Sequence, residues 1–376
     1  MESPSLTDRF TFNSRDYLLR TTDDTEAKRV VARYFSEGKV SFASELSYNG
    51  SLDEHGRQQL VIDYHQKHKA ELTRLFQLHF GQDLDHIGTQ VRYLLAHGFL
   101  RYGMLHEAIS NLEFILQNQS ASPQIRIVLG KAYLKDKKYR QALDQFSQAS
   151  AVHQNFADLY FYCGVCLYYS RDCVEAIKFF SRTLKINPHF GEAHFYAALT
   201  LLLNVKLAQE YSLAKRLPER ALQLLAYAGE ILPLLRTEAY EQGAGLITAK
   251  KYENALEVLA PLAASLEAGK ASLLNYEFYL NAILGLDQMS FEQVWQEIVR
   301  LEALVQRNPH YADLCYELGF AYAVLGVSIS SRSISCMNKA LAINPDYEAA
   351  QRAVELFENG KRNLSAIVQD LLPLHL

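Results

Sequence analysis

Three cysteines fall within eleven residues, as Cys163-x-x-Cys166 with Cys173, and three histidines, His65, His68 and His79, fall within fifteen. Thiolates and imidazoles at such spacing are what zinc or redox chemistry is made from. A structural zinc ion wants four ligands, commonly from two cysteine pairs on turns, and the other two cysteines, Cys315 and Cys336, are isolated. His65 and His68 share a helical face at i, i+3, yet no acid or cysteine pattern beside them completes a coordination set. No nucleophile elbow, phosphate-cradling glycine loop or His-Glu-x-x-His sequence occurs. The sequence therefore offers no catalytic residues and no metal ligands, and no cofactor is expected. Packing is the better use for Cys163, which takes the place held by Leu95 and Leu129 in a longer-range pattern.

That pattern is a period. Ala108, Ala142 and Ala176 are 34 residues apart, Ala221 and Ala255 are again 34 apart, and the gap between the two sets is one period plus 11 residues. Each alanine is followed by Ile or Leu, and four residues on comes Leu112, Phe146, Phe180, Leu225 or Leu259. In the same register Leu129-Gly130 and Tyr133 match Cys163-Gly164 and Leu167, and also Leu95-Ala96 and Phe99. Asn187-Pro188, Asn308-Pro309 and Asn344-Pro345 close units, because proline lacks the N–H and biases its predecessor out of the α region. Small residues on one helix let a second approach closely, and large ones fill the space between neighbouring pairs.

A 34-residue unit of two antiparallel helices with these residues resembles the tetratricopeptide repeat. The resemblance implies an all-α, right-handed solenoid with repeats at 89–122, 123–156, 157–190, 191–235, 236–269, 270–311 and 312–347. The fourth carries an insertion near Lys206 to Pro218, the sixth is degenerate, and the seventh has a longer serine-rich turn at Ser328, Ser330, Ser331 and Ser333. It also implies that the first helix of each unit lines a concave surface. The residues so placed are Tyr93, His97, Arg101, Lys131, Lys135, Phe161, Tyr168, Tyr169, Phe195, Leu202, Tyr240 and Tyr316, an aromatic and aliphatic groove with a basic N-terminal end. Members that capture the acidic C-terminus of heat-shock chaperones carry Lys, Asn and Arg at two of these positions. Here Tyr93, His97, Ile127 and Lys131 stand in their place, so that clamp is missing.

Residues 1–88 do not fit the period. Asp23 with Glu26 reads as a helix start, Ala27, Val30, Val31, Tyr34 and Phe35 as one apolar helical stripe, and Gly38 as its stop. A second start at Ser51-Leu-Asp-Glu54 leads into a long amphipathic helix ending near Gly81. The expectation is a small N-terminal helical cap over 1–88, with C-terminal capping helices over 348–376.

Net charge is −4 and the sequence pI about 6.3, and residues 1–88 hold 11 Lys and Arg against 14 Asp and Glu. This argues against nucleic acid as a partner. The first residues lack the apolar core of a secretory signal, the longest apolar run is too short to span a membrane, and five cysteines, an odd number, fit a reducing compartment. The sequence thus points to a cytoplasmic, non-enzymatic scaffold, adaptor or secretion-type chaperone whose partner is another protein or a peptide segment, with self-association left open. The alternative reading is a peptide-responsive regulatory protein.

Overall fold

Alternation decides the N-terminal structure. In the computed structural model, which describes residues 5–12, 14–50, 52–80, 88–118, 123–152, 156–207, 216–263, 266, 275–285, 289–307, 312–343 and 348–370, the chain opens as four antiparallel strands. These are β1 (Ser5–Phe12), β2 (Arg15–Asp24), β3 (Arg29–Ser36) and β4 (Lys39–Ser47), a meander in the order β1-β2-β3-β4. The expected helical cap is therefore corrected. The residues read as a helical stripe also satisfy a period of two. Val30, Ala32 and Tyr34 face one way and Val31, Arg33 and Phe35 the other, and β-branched and aromatic side chains favour the pleated strand. Gly38 ends no helix; Glu37 and Gly38, both at positive φ, form the two-residue turn between β3 and β4.

The second N-terminal expectation matches the structure. Helix α1 (Glu54–Phe80) starts at Asp53, whose carboxylate accepts the Gly56 N–H at 2.7 Å. It packs on one sheet face through Phe76, whose ring lies 4.2 Å from Phe12 and 4.9 Å from Tyr17. Asp23, buried on the same face, pairs with Arg57 at 3.3 Å.

From Thr89 the described chain is all-α, as expected. The helices are α2 (Thr89–Arg101), α3 (Leu105–Asn118), α4 (Pro123–Lys135), α5 (Tyr139–Val152), α6 (Ala157–Tyr169), α7 (Cys173–Ile186) and α8 (Gly191–Leu207). Then follow α9 (Leu217–Ile231), a short 3₁₀ turn at Pro233–Leu235, α10 (Glu238–Thr248) and α11 (Tyr252–Leu259). Helices α12 (Tyr276–Gly285), α13 (Phe291–Arg307), α14 (Ala312–Ile343) and α15 (Glu348–Asp370) complete the order.

The seventh unit departs from the expected helix pair, since α14 runs unbroken through the serine-rich segment. Ser330 and Ser331 return their hydroxyls to the carbonyls of Gly326 and Val327, at 2.9 and 3.0 Å. Such back-bonding lets serine stay inside a helix. Among its described residues, 348–370, the C-terminal segment likewise holds one helix, α15. Most of the insertion, 208–215, lies outside the described residues, between α8 and α9.

The chain divides into two compact units, one formed by Met1–Met104 with Leu274–Leu376 and the other by Leu105–Leu273. No helix among the described residues is long and apolar enough to cross a membrane.

Candidate partner-binding surface

In the unit Leu105–Leu273 one contact recurs. A Cβ on Gly130 of α4 would stand 2.7 Å from the Phe146 ring of α5, and one on Gly164 of α6 would stand 2.6 Å from the Phe180 ring of α7. On Gly243 of α10 it would meet Leu259 of α11 at 2.4 Å. The first helix of each pair must lack a side chain there so that the second can press a large one against its backbone.

The turn between paired helices recurs as well. Lys137, Arg171 and Lys250 all adopt the left-handed conformation, with φ of 60°, 64° and 60°. After each, the next N–H bonds back to Tyr133, Leu167 or Leu246 at 2.9 Å, closing the helix with the same left-handed cap. Caps of this kind end α4, α6 and α10 in the same way, each left-handed residue standing two positions before its partner helix begins.

This packing sorts the groove residues. Phe161, Tyr168, Phe195, Leu202 and Tyr240 lie in the hydrophobic core of the unit, Phe195 and Leu202 wholly so. Phe161 touches Phe190 and Tyr196 at 4.9 and 5.6 Å between ring centres. Tyr240 donates its hydroxyl to the Leu225 carbonyl. At the rim stands Tyr169, 36% exposed, its ring stacked on Tyr139 at 5.2 Å and edge-on to Tyr168. Its hydroxyl is 3.4 Å from that of Tyr196. Lys131 sits half-buried over the Tyr162 ring at 5.0 Å, and Lys135, one turn on, is exposed.

The remaining groove residues belong to the other unit. Tyr93 is buried edge-on to His97, and burial raises its phenol above the ordinary range. The Arg101 guanidinium lies 5.9 and 5.8 Å from the ring centres of Tyr102 and Tyr276. The Tyr316 side chain lies outside the described residues.

Arg101 also marks a polar core that the sequence did not reveal. Tyr102, fully buried, donates its hydroxyl to Glu71, and His68 Nδ1 lies 3.5 Å from the same carboxylate. The Tyr276 hydroxyl is 3.5 Å from that of Tyr102, and the Tyr34 ring packs on Tyr102 at 4.6 Å. Burial alone would raise the Glu71 pKa; the hydrogen bonds from His68 and Tyr102 outweigh it and hold the carboxyl below its ordinary range. Glu277 is raised, first by burial and then by the Glu71 charge and hydrogen bond. Contacts between positions about 200 residues apart leave no period in the sequence, so only the buried Tyr102 and Tyr276 could have hinted at it.

The histidines and cysteines have structural places. His65 bridges Thr21 and Asp8, each at 2.9 Å. Cys163, Cys166 and Cys173 are fully buried, and burial pushes the Cys163 thiol up to about 12 and that of Cys173 to about 11. A nucleophilic or metal-bound cysteine needs the opposite shift. Among the described residues no group of three or more His, Cys, Asp or Glu side chains could hold a metal ion.

No family model matches the chain, and no curated protein does. Among solved structures, one of MamA aligns at 20% identity over 48% of this chain and 95% of that one, with a TM-score of 0.35. A second MamA structure aligns at 19% identity over 45% and 86%, with a TM-score of 0.37. YrrB, described as a TPR protein with an unusual peptide-binding site, aligns at 21% over 46% and 84%, with a TM-score of 0.36. Overlaps this partial carry no argument, and the assignment stands on the chain's own packing. With one glycine contact and one left-handed cap repeated along it, the unit Leu105–Leu273 is an all-α array of repeated helix pairs, the architecture that the tetratricopeptide resemblance implied.

Proposed function

We propose that the repeat array is a non-enzymatic protein-interaction module, an adaptor or secretion-type chaperone, and that it holds a segment of a partner along the rim marked by Tyr139, Tyr169, Lys131 and Lys135. The observation that carries this reading is the Tyr139–Tyr169 stack, which leaves a large ring partly in water at the same repeat position as the exposed Lys135. Tyrosine offers contact area at little rotamer cost and a polar tip, while lysine steers and pairs an acidic group. Phe161, Tyr168, Phe195, Leu202 and Tyr240 then act from below by fixing the rim, and truncating them tests the fold as much as the binding.

The test is a partner captured from cell extract and titrated against variants whose melting temperatures are measured in parallel. Tyr169→Ala is expected to weaken binding by about 1–2 kcal/mol with little change in Tm. Lys135→Glu is expected to slow association and remove its salt dependence. Phe161→Ala is expected to lower Tm first. Unchanged affinity in both Tyr169→Ala and Lys135→Glu would place the partner surface elsewhere.

A further inference from the structure

The sheet has a second face, turned away from α1. The register of β1, β2 and β3 puts Thr7, Arg9 and Thr11, then Leu18, Arg20 and Thr22, then Val31, Arg33 and Phe35 on it. Arg20 stands directly opposite Arg33, and Arg9 is the diagonal neighbour of Arg20, next along β1 from its partner Thr7. Arg9 and Arg20 are exposed and Arg33 half-buried, with one Arg33 nitrogen donating to Thr22 Oγ1 at 3.1 Å. Like charges directly opposite each other destabilise a sheet, so this row costs the fold stability unless an anion joins it.

The nearest acids are already taken. Asp24 and Glu45 both accept from Arg29, at 3.1 and 2.7 Å, and Asp24 also receives the Ala27 N–H. Asp16 accepts from Thr11. We propose that this face is a binding site for a short, extended, acidic segment of a partner protein, whose carboxylates pair with Arg9, Arg20 and Arg33. Guanidinium groups meet carboxylates bidentately, and alternate side chains of an extended chain are spaced about 6.6 Å apart. That spacing falls between the about 5 Å of directly opposed residues and the about 7–8 Å of diagonal ones, which are the separations in this row. Leu18 and Phe35, both half-buried, form the cross-strand pair beside Arg20 and Arg33 and match the apolar residues of such a segment. A longer polyanion is disfavoured, since Glu26 and Glu37 sit in the turns at the two ends of β3 and the chain carries a net charge of −4.

The inference is independent of the Tyr169 rim, and its test uses the full chain. Labelled eight-residue peptides alternating Glu with Val or Lys with Val, and an eight-nucleotide oligothymidylate, are titrated by fluorescence anisotropy. The Glu peptide is expected to bind, more tightly at low salt, and to lose at least tenfold in affinity in Arg20→Gln/Arg33→Gln. Arg140→Gln, an equal-sign charge change in the other unit, is expected to leave it within twofold. Arg9→Gln alone, on an edge strand, is expected to lose about threefold and serves if the double variant fails to fold. A second readout is thermal: Arg20→Thr is expected to raise Tm in the absence of peptide, because the opposed charges are relieved. The proposal is overturned if the Glu peptide binds no better than the Lys peptide, if Arg9→Gln and the double variant bind like Arg140→Gln, or if the oligothymidylate binds more tightly than the Glu peptide.

Discussion

The two units solve the same packing problem in different ways. In Leu105–Leu273 a single device repeats, with Gly130 under Phe146, Gly164 under Phe180 and Gly243 under Leu259, and nearly all of its core is apolar. In the other unit chain-distant pieces meet once each. Arg74 bonds Asn281, Gly98 admits the Tyr276 ring, and Tyr102 joins Glu71 to Tyr276 around buried charge. Repetition makes stability a sum of local terms, whereas a unit closed by distant polar contacts stands or falls on a few of them.

The sharpest way to break that contrast is to fill one glycine in each unit. Gly164→Val drives a branched side chain into Phe180, and Gly98→Val drives one into Leu75 and Tyr276. Each is expected to cost on the order of 3 kcal/mol by overpacking. Hydrogen exchange should then locate the damage, in 123–207 for the first and in 54–104 with 276–343 for the second. Equal loss of protection everywhere in both variants would mean that the units melt as one.

A smaller effect should follow pH. The Glu277 carboxyl is raised to about 7, so the folded state holds a proton that the unfolded chain gives up in the ordinary carboxylate range. Its contribution is complete at acid pH and is lost as pH rises towards 7. Glu277→Gln should therefore stabilise the protein by about 1–3 kcal/mol at pH 8 and make little difference at pH 4, read by denaturant melts. Glu71 has the opposite sign, because its lowered pKa confers stability that fades only as the medium becomes strongly acid. An identical gain at both pH values would rule out a proton at Glu277.

The smallest predicted effect lies in the caps. Lys137→Gly and Arg171→Gly should each add about 0.5–1 kcal/mol by relieving left-handed strain in a side-chain-bearing residue. The same turn in the first unit is already glycine, at Gly103, where a Cβ would sit 2.5 Å from the Ser41 carbonyl oxygen. Gly103→Lys is accordingly expected to destabilise, by both strain and clash, although the backbone conformation is the same.

The comparison also explains what could be read in advance. Ala108, Ala142, Ala176 and Ala255 recur because each sits wholly buried where two helices touch, so local packing leaves a trace at fixed intervals. Val30 to Phe35 misled because four to six apolar residues satisfy a helical stripe and a strand equally, and what separates them is pairing with β2 and β4, which no short window contains. The serine run of α14 misled in the same way, as Ser330 and Ser331 carry their own hydrogen bonds. Among the groove residues the repeat register named positions but not depth. Tyr168 and Tyr169 are adjacent in sequence, yet one is in the core and the other at the rim. Depth depends on how neighbouring pairs lean on each other, and the spacing of residues along the chain does not contain it.

Cys163, Cys166 and Cys173 occupy one helix pair and are hidden from water together. With Cys315 and Cys336 replaced by serine, a thiol reagent can touch the chain only when α6 and α7 part. The rate of colour release would then be a clock for one repeat, ticking once for each excursion of that pair out of its neighbours while the rest of the protein stays folded.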